Sequence, residues 1–194
     1  SGVGQLNTVE LQKYLTGKKV NVSPYIGERT EGLSGISDKE GLKSKFEMLY
    51  AYFTAPRIED DVFQGYIMKS KSMLQNRDSD PGFVFQEAIL NTLYGGNIRR
   101  SPISLEAVDH IDQQRALAIY KERFADASDF TFTFVGSFTE EELKPYLEEY
   151  IASLPALKRE EKAVDLGIVE PAKGVEKIVY KGKEEKAQVR LSYY

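Results

Sequence analysis

Apolar residues recur at helical spacing in several stretches of the chain. Leu42, Phe46, Leu49 and Phe53 fall on one face of a helix that Pro56 would end. The same reasoning, from periodicity and end signals, predicts six further helices: 8–16, 59–75, 81–94, a short one after 104, 112–124 and 139–154. Helices are therefore expected to form the larger part of the structure.

The expected helix starts carry recognisable end signals. Three pairs have the spacing of a capping box, in which Ser, Thr or Asn is followed three residues later by Glu: Asn7 with Glu10, Ser37 with Glu40, and Thr139 with Glu142. Asp80 precedes Pro81, which is an N-cap followed by proline at the first helical position, and Gly95 is placed to end that helix.

Alternation of apolar and polar residues predicts strands in four places. Residues 18–26 and 29–36 read as a hairpin whose second arm is weak. Phe130, Phe132 and Phe134 alternate with threonines in a strand that ends at Gly136. Residues 175–181 and 187–194 alternate as the two arms of a second hairpin. A lone terminal hairpin is marginally stable, so we expect the sequence to be a piece of something longer.

Composition and charge exclude several classes of function. The 194 residues are 41% hydrophobic and 29% charged, which suits a folded core, and the formal net charge is -4. Without a basic run, nucleic acid is not an expected partner. No window is apolar enough to span a membrane. With no cysteine and a single histidine, thiolate metal sites, disulfides and two-histidine metal motifs are excluded within this chain.

Two acidic clusters invite a chemical interpretation. His110, between Asp109 and Asp112, has the composition of a His-Asp general base, although the aspartates equally suit helix capping. The run Glu59-Asp60-Asp61 could bind a hard cation, although carboxylates are also typical of the first turn of a helix. In both cases the structural interpretation is favoured.

Three arginines stand outside the expected helices. Arg57, Arg99 and Arg100 could bind an anion or a peptide carboxylate. Scattered arginines in connecting segments are more often solvated surface, so we expect no anion site here.

Residues 101–155 resemble a known family of enzymes. They combine a helix ending near Phe124, an aromatic strand closed by Val135-Gly136, and a capped helix ending at Leu154. The upstream stretches LQKYLTGKKVNVSPYIGERTEGLSGIS and YFTAPRIEDDVF extend the likeness over nearly the whole chain. The pattern is similar to the pitrilysin/insulinase family of zinc peptidases, in particular to the C-terminal, non-catalytic half of its two-half bacterial members.

The resemblance brings no functional residue with it. In that family an inverted HxxEH helix and a glutamate on a later helix bind zinc. A single histidine cannot form HxxEH, and residues 62–77, which would correspond to the later helix, contain no Asp or Glu. The prediction is therefore that this chain has no catalytic, cofactor-binding or metal-binding residue, and that zinc belongs to the catalytic half of the parent protein.

The resemblance also implies a fold and a domain plan. It implies an α+β fold with a mostly antiparallel sheet covered by helices, truncated at both ends. Residues 1–160 would be most of one repeat domain without its first strands. Residues 161–174 would be a linker, and residues 175–194 the first hairpin of the following repeat domain.

The implied function is a non-catalytic part of a zinc metalloendopeptidase, which forms chamber wall and contacts the peptide substrate. Its partners would be the catalytic half of the same polypeptide and a peptide or protein substrate, with a homodimer through exposed strand edges as a further expectation. The compartment would be the bacterial periplasm or cytoplasm. The alternative is a non-enzymatic scaffold subunit of the same fold. A third hypothesis, a hydrolase built on His110, would need a concave pocket around that residue.

Overall fold

A computed structural model describes residues 2–193 of the chain. The chain divides into two units. The first comprises the chain up to Phe63 together with Asp112–Glu161, and the second comprises Gln64–Ile111 together with the chain from Lys162 onward.

The first unit contains the sheet and the helices that pack on it. Its elements are α1 (Thr8–Leu15), β1 (Val20–Ile26), β2 (Glu31–Ser37), α2 (Leu42–Thr54), α6 (Gln113–Arg123), a 3-10 turn (Ala127–Asp129) and α7 (Glu140–Tyr146), which continues as a π-helical turn (Leu147–Ile151). The strands β1 and β2 are antiparallel, with Val20 opposite Ser37 and Ile26 opposite Glu31. Since α2 packs on both strands, the architecture is α+β with a helix-covered antiparallel sheet, as predicted.

The second unit is helical followed by irregular chain. It holds nearly all of α3 (Asp60–Gln75), a 3-10 turn (Arg77–Ser79), α4 (Pro81–Tyr94) and α5 (Leu105–Asp109). The part of it between 162 and 193 has neither helix nor strand.

Most of the expected helix ends are confirmed. Two capping boxes form in full, with the side chains of Asn7 and Thr139 accepting from the backbone N–H of Glu10 and Glu142. Asp80 caps α4 ahead of a proline, as predicted. Gly95, with φ of 58°, takes the left-handed conformation that ends this helix and that glycine adopts without steric cost.

The capping box predicted at Ser37 and Glu40 is wrong. Ser37 is the last residue of β2 and pairs with Val20, so its backbone belongs to the sheet. The helix begins five residues later at Leu42, and its N-cap, Gly41, offers no side chain. The carboxylate of Asp38 accepts from the N–H of Gly41 at 2.8 Å and closes the turn instead.

One apolar face of α3 is half-buried. Phe63, Ile67 and Leu74 share one face of the helix, as their spacing predicts, but no residue of α3 is buried. The neighbouring α4 also buries none of its residues, although it is strongly apolar. Apolar periodicity thus gives α3 a common face without burying it fully.

The strands predicted after residue 130 are not present in the described part of the chain. Residues 130–135 have no paired neighbour, and neither do 175–181 or 187–193, while Tyr194 lies outside the described residues. Alternation is a property of the sequence, but a strand also needs a second backbone to complete its hydrogen bonds. The prediction of strands in these segments is therefore wrong. The domain plan, which places the first hairpin of a following domain at residues 175–194, stays a prediction.

An aromatic core surrounds α2. The ring of Phe46 stacks on those of Phe134 and Tyr146, with centroids 5.3 Å apart in both pairs. Two turns further along the helix, the ring of Phe53 contacts that of Phe124 edge-on, with centroids 5.3 Å apart. Residues 130–135 thus contribute their phenylalanines to the core without a strand being formed.

Candidate functional site

The region around His110 is a helix end. His110 is exposed and follows the last residue of α5. Asp109 forms an ion pair with Lys71, and Asp112 caps α6 by accepting from the N–H of Arg115. Both aspartates are therefore engaged in structural contacts, which supports the capping interpretation of this cluster.

The acidic run at residues 59–61 separates into different roles. Glu59 accepts hydrogen bonds from the N–H of Gly2 at 2.8 Å and from the N–H of Thr8 at 2.9 Å. Desolvation alone would raise the pKa of Glu59, but these hydrogen bonds and the nearby charge of Arg57 outweigh it and lower the pKa. Asp60 and Asp61 lie in the first turn of α3, as the helix interpretation predicts. Glu59 thus anchors the start of the chain to the start of α1.

The three arginines have structural partners or lie in a connection. Arg57 donates to the carbonyl oxygen of Gln5 at 2.9 Å. The guanidinium of Arg100 lies 5.2 Å from the ring centre of Tyr94. Arg99 is exposed in the turn after α4. None of these contacts builds an anion pocket.

No group of three or more His, Asp or Glu side chains within residues 2–193 is arranged to hold a metal ion. Over the same residues, no helix is long and apolar enough to cross a membrane. The chemistry of zinc peptidases therefore has no ligand set in the described part of this chain.

Asp126 is the polar centre that sequence reasoning missed. Its side chain is fully buried, and its carboxylate accepts from the N–H of Leu157 at 2.8 Å and from the N–H of Arg159 at 2.7 Å. The hydroxyl of Ser128 donates to it at 2.6 Å. Burial by itself would raise the pKa of Asp126, but the hydrogen bonds outweigh burial and hold the pKa well below its usual range. The Asp-x-Ser spacing at 126–128 was the available signal, since it is typical of a side chain that bonds the backbone two residues on.

A second missed constellation joins three charged residues. Arg123, at the end of α6, donates two hydrogen bonds to Glu31 at the start of β2, at 2.8 and 2.5 Å. It also pairs with Glu161. These contacts raise the pKa of Arg123, chiefly through the hydrogen bonds to the two glutamates, and tie the helix to the sheet. Partners so distant in sequence leave no local pattern.

The exposed apolar surface of the second unit is the remaining candidate for binding. Tyr66, Met68 and Met73 on α3 are each more than half exposed. Tyr66 and Met73 are seven residues apart and therefore lie on one side of the helix. Methionine side chains are flexible and polarisable, so they adapt to apolar groups of different shape. Tyr66 and Met73 together form the α3 surface, which is apolar and exposed, whereas Met68 lies on another side of the helix.

Comparison with protein families gives a match in the C-terminal part of the chain. Residues 110–194 match the family described as "Peptidase M16 inactive domain". Among curated proteins, the chain is 22% identical over 154 residues to the probable zinc protease PqqL of Escherichia coli K12, covering 79% of this chain and 16% of that protein. It is 24% identical over 115 residues to a PQQL-like zinc protease of Arabidopsis thaliana, covering 59% of this chain and 12% of that protein.

Solved structures share the fold. The periplasmic protease PqqL from Escherichia coli superposes with a TM-score of 0.73 at 20% identity, over 88% of this chain and 19% of that chain. A mutant of the ferredoxin protease FusC, in complex with Arabidopsis ferredoxin, gives a TM-score of 0.69 at 20% identity, over 87% and 18% of the two chains. A peptidase M16 inactive domain from Pseudomonas fluorescens gives 0.60 at 14% identity, over 84% and 41%.

Proposed function

The chain belongs to the pitrilysin/insulinase family of zinc peptidases, as part of the C-terminal, non-catalytic half, and from this premise we propose that it forms chamber wall and contacts the peptide substrate of a zinc metalloendopeptidase. The observation that carries the proposal is the match of residues 110–194 to the inactive domain. The chain spans only 16% of the length of its Escherichia coli relative, so the catalytic half of the same polypeptide is proposed as its main partner.

The residues of this chain indicate how its role would differ from that of the catalytic half. The zinc would be held by the catalytic half, where it would supply the activation of water for peptide-bond hydrolysis. The described part of this chain has no metal-binding group, and its polar clusters at Glu59, Asp126 and Arg123 are engaged in holding the fold. The chain would therefore interact with a substrate through its surface.

The α3 surface is the proposed contact with the substrate. Tyr66 and Met73 are exposed on one side of α3, next to the half-buried face formed by Phe63, Ile67 and Leu74. Binding energy from such remote contacts would be uniform for substrate and transition state. It would therefore lower KM without changing kcat.

The periplasm is the proposed compartment of the parent protein. The Escherichia coli relative of known structure is a periplasmic protease. A chain without cysteine is compatible with that oxidising environment. Osmotic-shock fractionation of a host that expresses the parent protein tests the assignment, and retention with cytoplasmic markers contradicts it.

The first experiment uses the chain alone. After dialysis against metal-free buffer, elemental analysis is expected to find well below one zinc per chain, and a library of quenched fluorescent peptides is expected to remain uncut. Stoichiometric zinc, or hydrolysis that chelators abolish, would show a catalytic site in this chain and overturn the proposal.

The second experiment uses the parent polypeptide. Met73→Glu is expected to raise KM for a peptide substrate by about 3- to 10-fold and to leave kcat unchanged, since it removes uniform binding. Val169→Glu, at an exposed apolar residue outside α3, is the matched control and should leave both constants unchanged. An unchanged KM in Met73→Glu refutes the contact. A parent protein without zinc or peptidase activity would favour the scaffold alternative.

A further inference from the structure

Methionine is the only sulfur-containing residue of this chain. The sequence has three methionines, no cysteine and no tryptophan. Met48 is 4% exposed and belongs to the apolar cluster that contains Leu11 and Val22, whereas Met68 and Met73 on α3 are 66% and 64% exposed. A dissolved oxidant reaches a thioether only where the side chain is exposed, so the two methionines of α3 are open to oxidation and Met48 is shielded.

The two exposed methionines lie on different sides of α3. Met73 shares its side with Tyr66 and forms the α3 surface with it. Met68 is five residues from Met73, which places it about 140° away around the helix. Only Met73 therefore lies in the proposed contact with the substrate. Because its side chain is more than half exposed, an oxygen atom added to its sulfur would remain in water and leave the helix folded.

We propose that Met73 is a reversible oxidation site through which a peroxide weakens substrate binding at the α3 surface, an inference that rests on the proposed function. The peroxide O–O bond breaks and one oxygen atom forms a bond to the thioether sulfur. The sulfur loses two electrons and becomes a sulfoxide, and hydrogen peroxide is reduced to water. A methionine sulfoxide reductase with a dithiol reverses the step: the S–O bond breaks, the oxygen leaves as water, and the dithiol is oxidised to a disulfide.

Oxidation changes the chemistry of the α3 surface. The thioether of Met73 is apolar and flexible, whereas a sulfoxide is polar and binds water. An apolar group of a substrate would then have to displace that water to reach the surface, so the contact with Met73 is weakened. Since the contact would be the same for substrate and transition state, its loss raises KM and leaves kcat unchanged.

Peptide mass spectrometry measures the order of oxidation. The parent polypeptide is treated with hydrogen peroxide and sampled over time. Met68 and Met73 are expected to gain one oxygen atom at least about tenfold faster than Met48, because only Met48 is buried. At the time when Met73 is converted and Met48 is not, Tm should be unchanged, since no polar atom has entered the core.

Peptidase kinetics before and after peroxide locate the effect. Oxidation is expected to raise KM of the parent polypeptide by about 3- to 10-fold with kcat unchanged, and reductases for both sulfoxide epimers, supplied with a dithiol, should restore KM. Met73→Leu removes the oxidisable sulfur and should abolish the rise. Met68→Leu is the matched control, since Met68 is similarly exposed but lies outside the α3 surface, and it should show the same rise as the parent.

Three results would overturn the inference. They are oxidation of Met73 no faster than that of Met48, a KM that does not change when Met73 is oxidised, and a rise in KM that persists in Met73→Leu. In each case the substrate contact would stand as long as Met73→Glu raises KM. An unchanged KM in Met73→Glu would instead refute the contact itself, and the inference with it.

Discussion

Asp126 shows how one buried carboxylate can organise a loop. It holds the backbone of Leu157 and Arg159 to the turn that follows α6, while the N–H of Ala127 donates to the carbonyl oxygen of Pro155 at 2.7 Å. Both oxygens of the carboxylate accept hydrogen bonds. A buried charge is tolerated only under such conditions, so the loop depends on the ionised form.

We expect Asp126→Asn to lower Tm by on the order of 5 °C at pH 7, because the amide turns a donor towards backbone N–H groups. The folded-state pKa of Asp126 lies below its ordinary value of 3.8. Its stabilisation is thus fully present above the unfolded pKa and is lost as pH falls through the folded pKa. The difference in Tm between the parent chain and Asp126→Asn should therefore become smaller as the pH falls below about 4.

Thermal unfolding followed by circular dichroism across this pH range makes the measurement. Asp129→Asn is the matched control, since Asp129 is exposed in the same turn, and it should change Tm little at any pH. Equal Tm values for the two variants at pH 7 would show that the Asp126 carboxylate does not stabilise the loop.

At the scale of elements, hydrogen-bonded caps decide where helices begin. Thr139 accepts from the N–H of Glu142 at 3.2 Å and receives the reciprocal bond from its own N–H to the Glu142 side chain at 3.0 Å. Ser37 has the same sequence spacing to Glu40 but lies in β2. The same motif therefore gives a cap in one place and a strand end in the other.

This difference can be measured by two substitutions. Thr139→Ala is expected to lower the free energy of unfolding by about 1 kcal/mol, the usual value of an N-cap side chain. Ser37→Ala removes a hydroxyl that caps no helix, and should cost less than about 0.5 kcal/mol. Urea denaturation of both variants and the parent chain gives the values. A larger cost at Ser37 than at Thr139 would contradict the assignment of the caps.

At the scale of the whole molecule, burial is unevenly distributed between the two units. Of the buried apolar side chains among the described residues, only Val108 belongs to the second unit. The first unit contains the two apolar clusters around α2. Local stability follows buried apolar contact, so the two units should differ in how readily they open.

Native-state hydrogen exchange tests this difference. Amides in the middle of α2 should be protected at least about tenfold more than those in the middle of α4, because α4 has no buried residue. Phe124→Ala, which removes a fully buried ring, should reduce protection of α2 and cost about 3–5 kcal/mol. Phe83→Ala, at a half-buried ring of α4, is the control and should leave α2 protected. Equal protection of both helices would contradict the expectation.

The sequence by itself determined the features that depend on neighbours within a few residues. These are the periodic faces of α2 and α7, the caps at Asn7, Asp80 and Thr139, and the first hairpin. Composition also determined that two-histidine zinc chemistry is excluded, because His110 is the single histidine. The resemblance to the peptidase family rested on the same local features taken in order.

Only the tertiary structure decided the features that need a distant partner. Residues 130–135 alternate like a strand, yet they bury their phenylalanines without a paired backbone, because pairing depends on a second segment. The burial of Asp126 and the ion pairs of Arg123 depend on residues about 30 to 90 positions away. Short-range patterns fix helices through their own hydrogen bonds, whereas strands and buried charges are completed by groups that the local sequence does not contain.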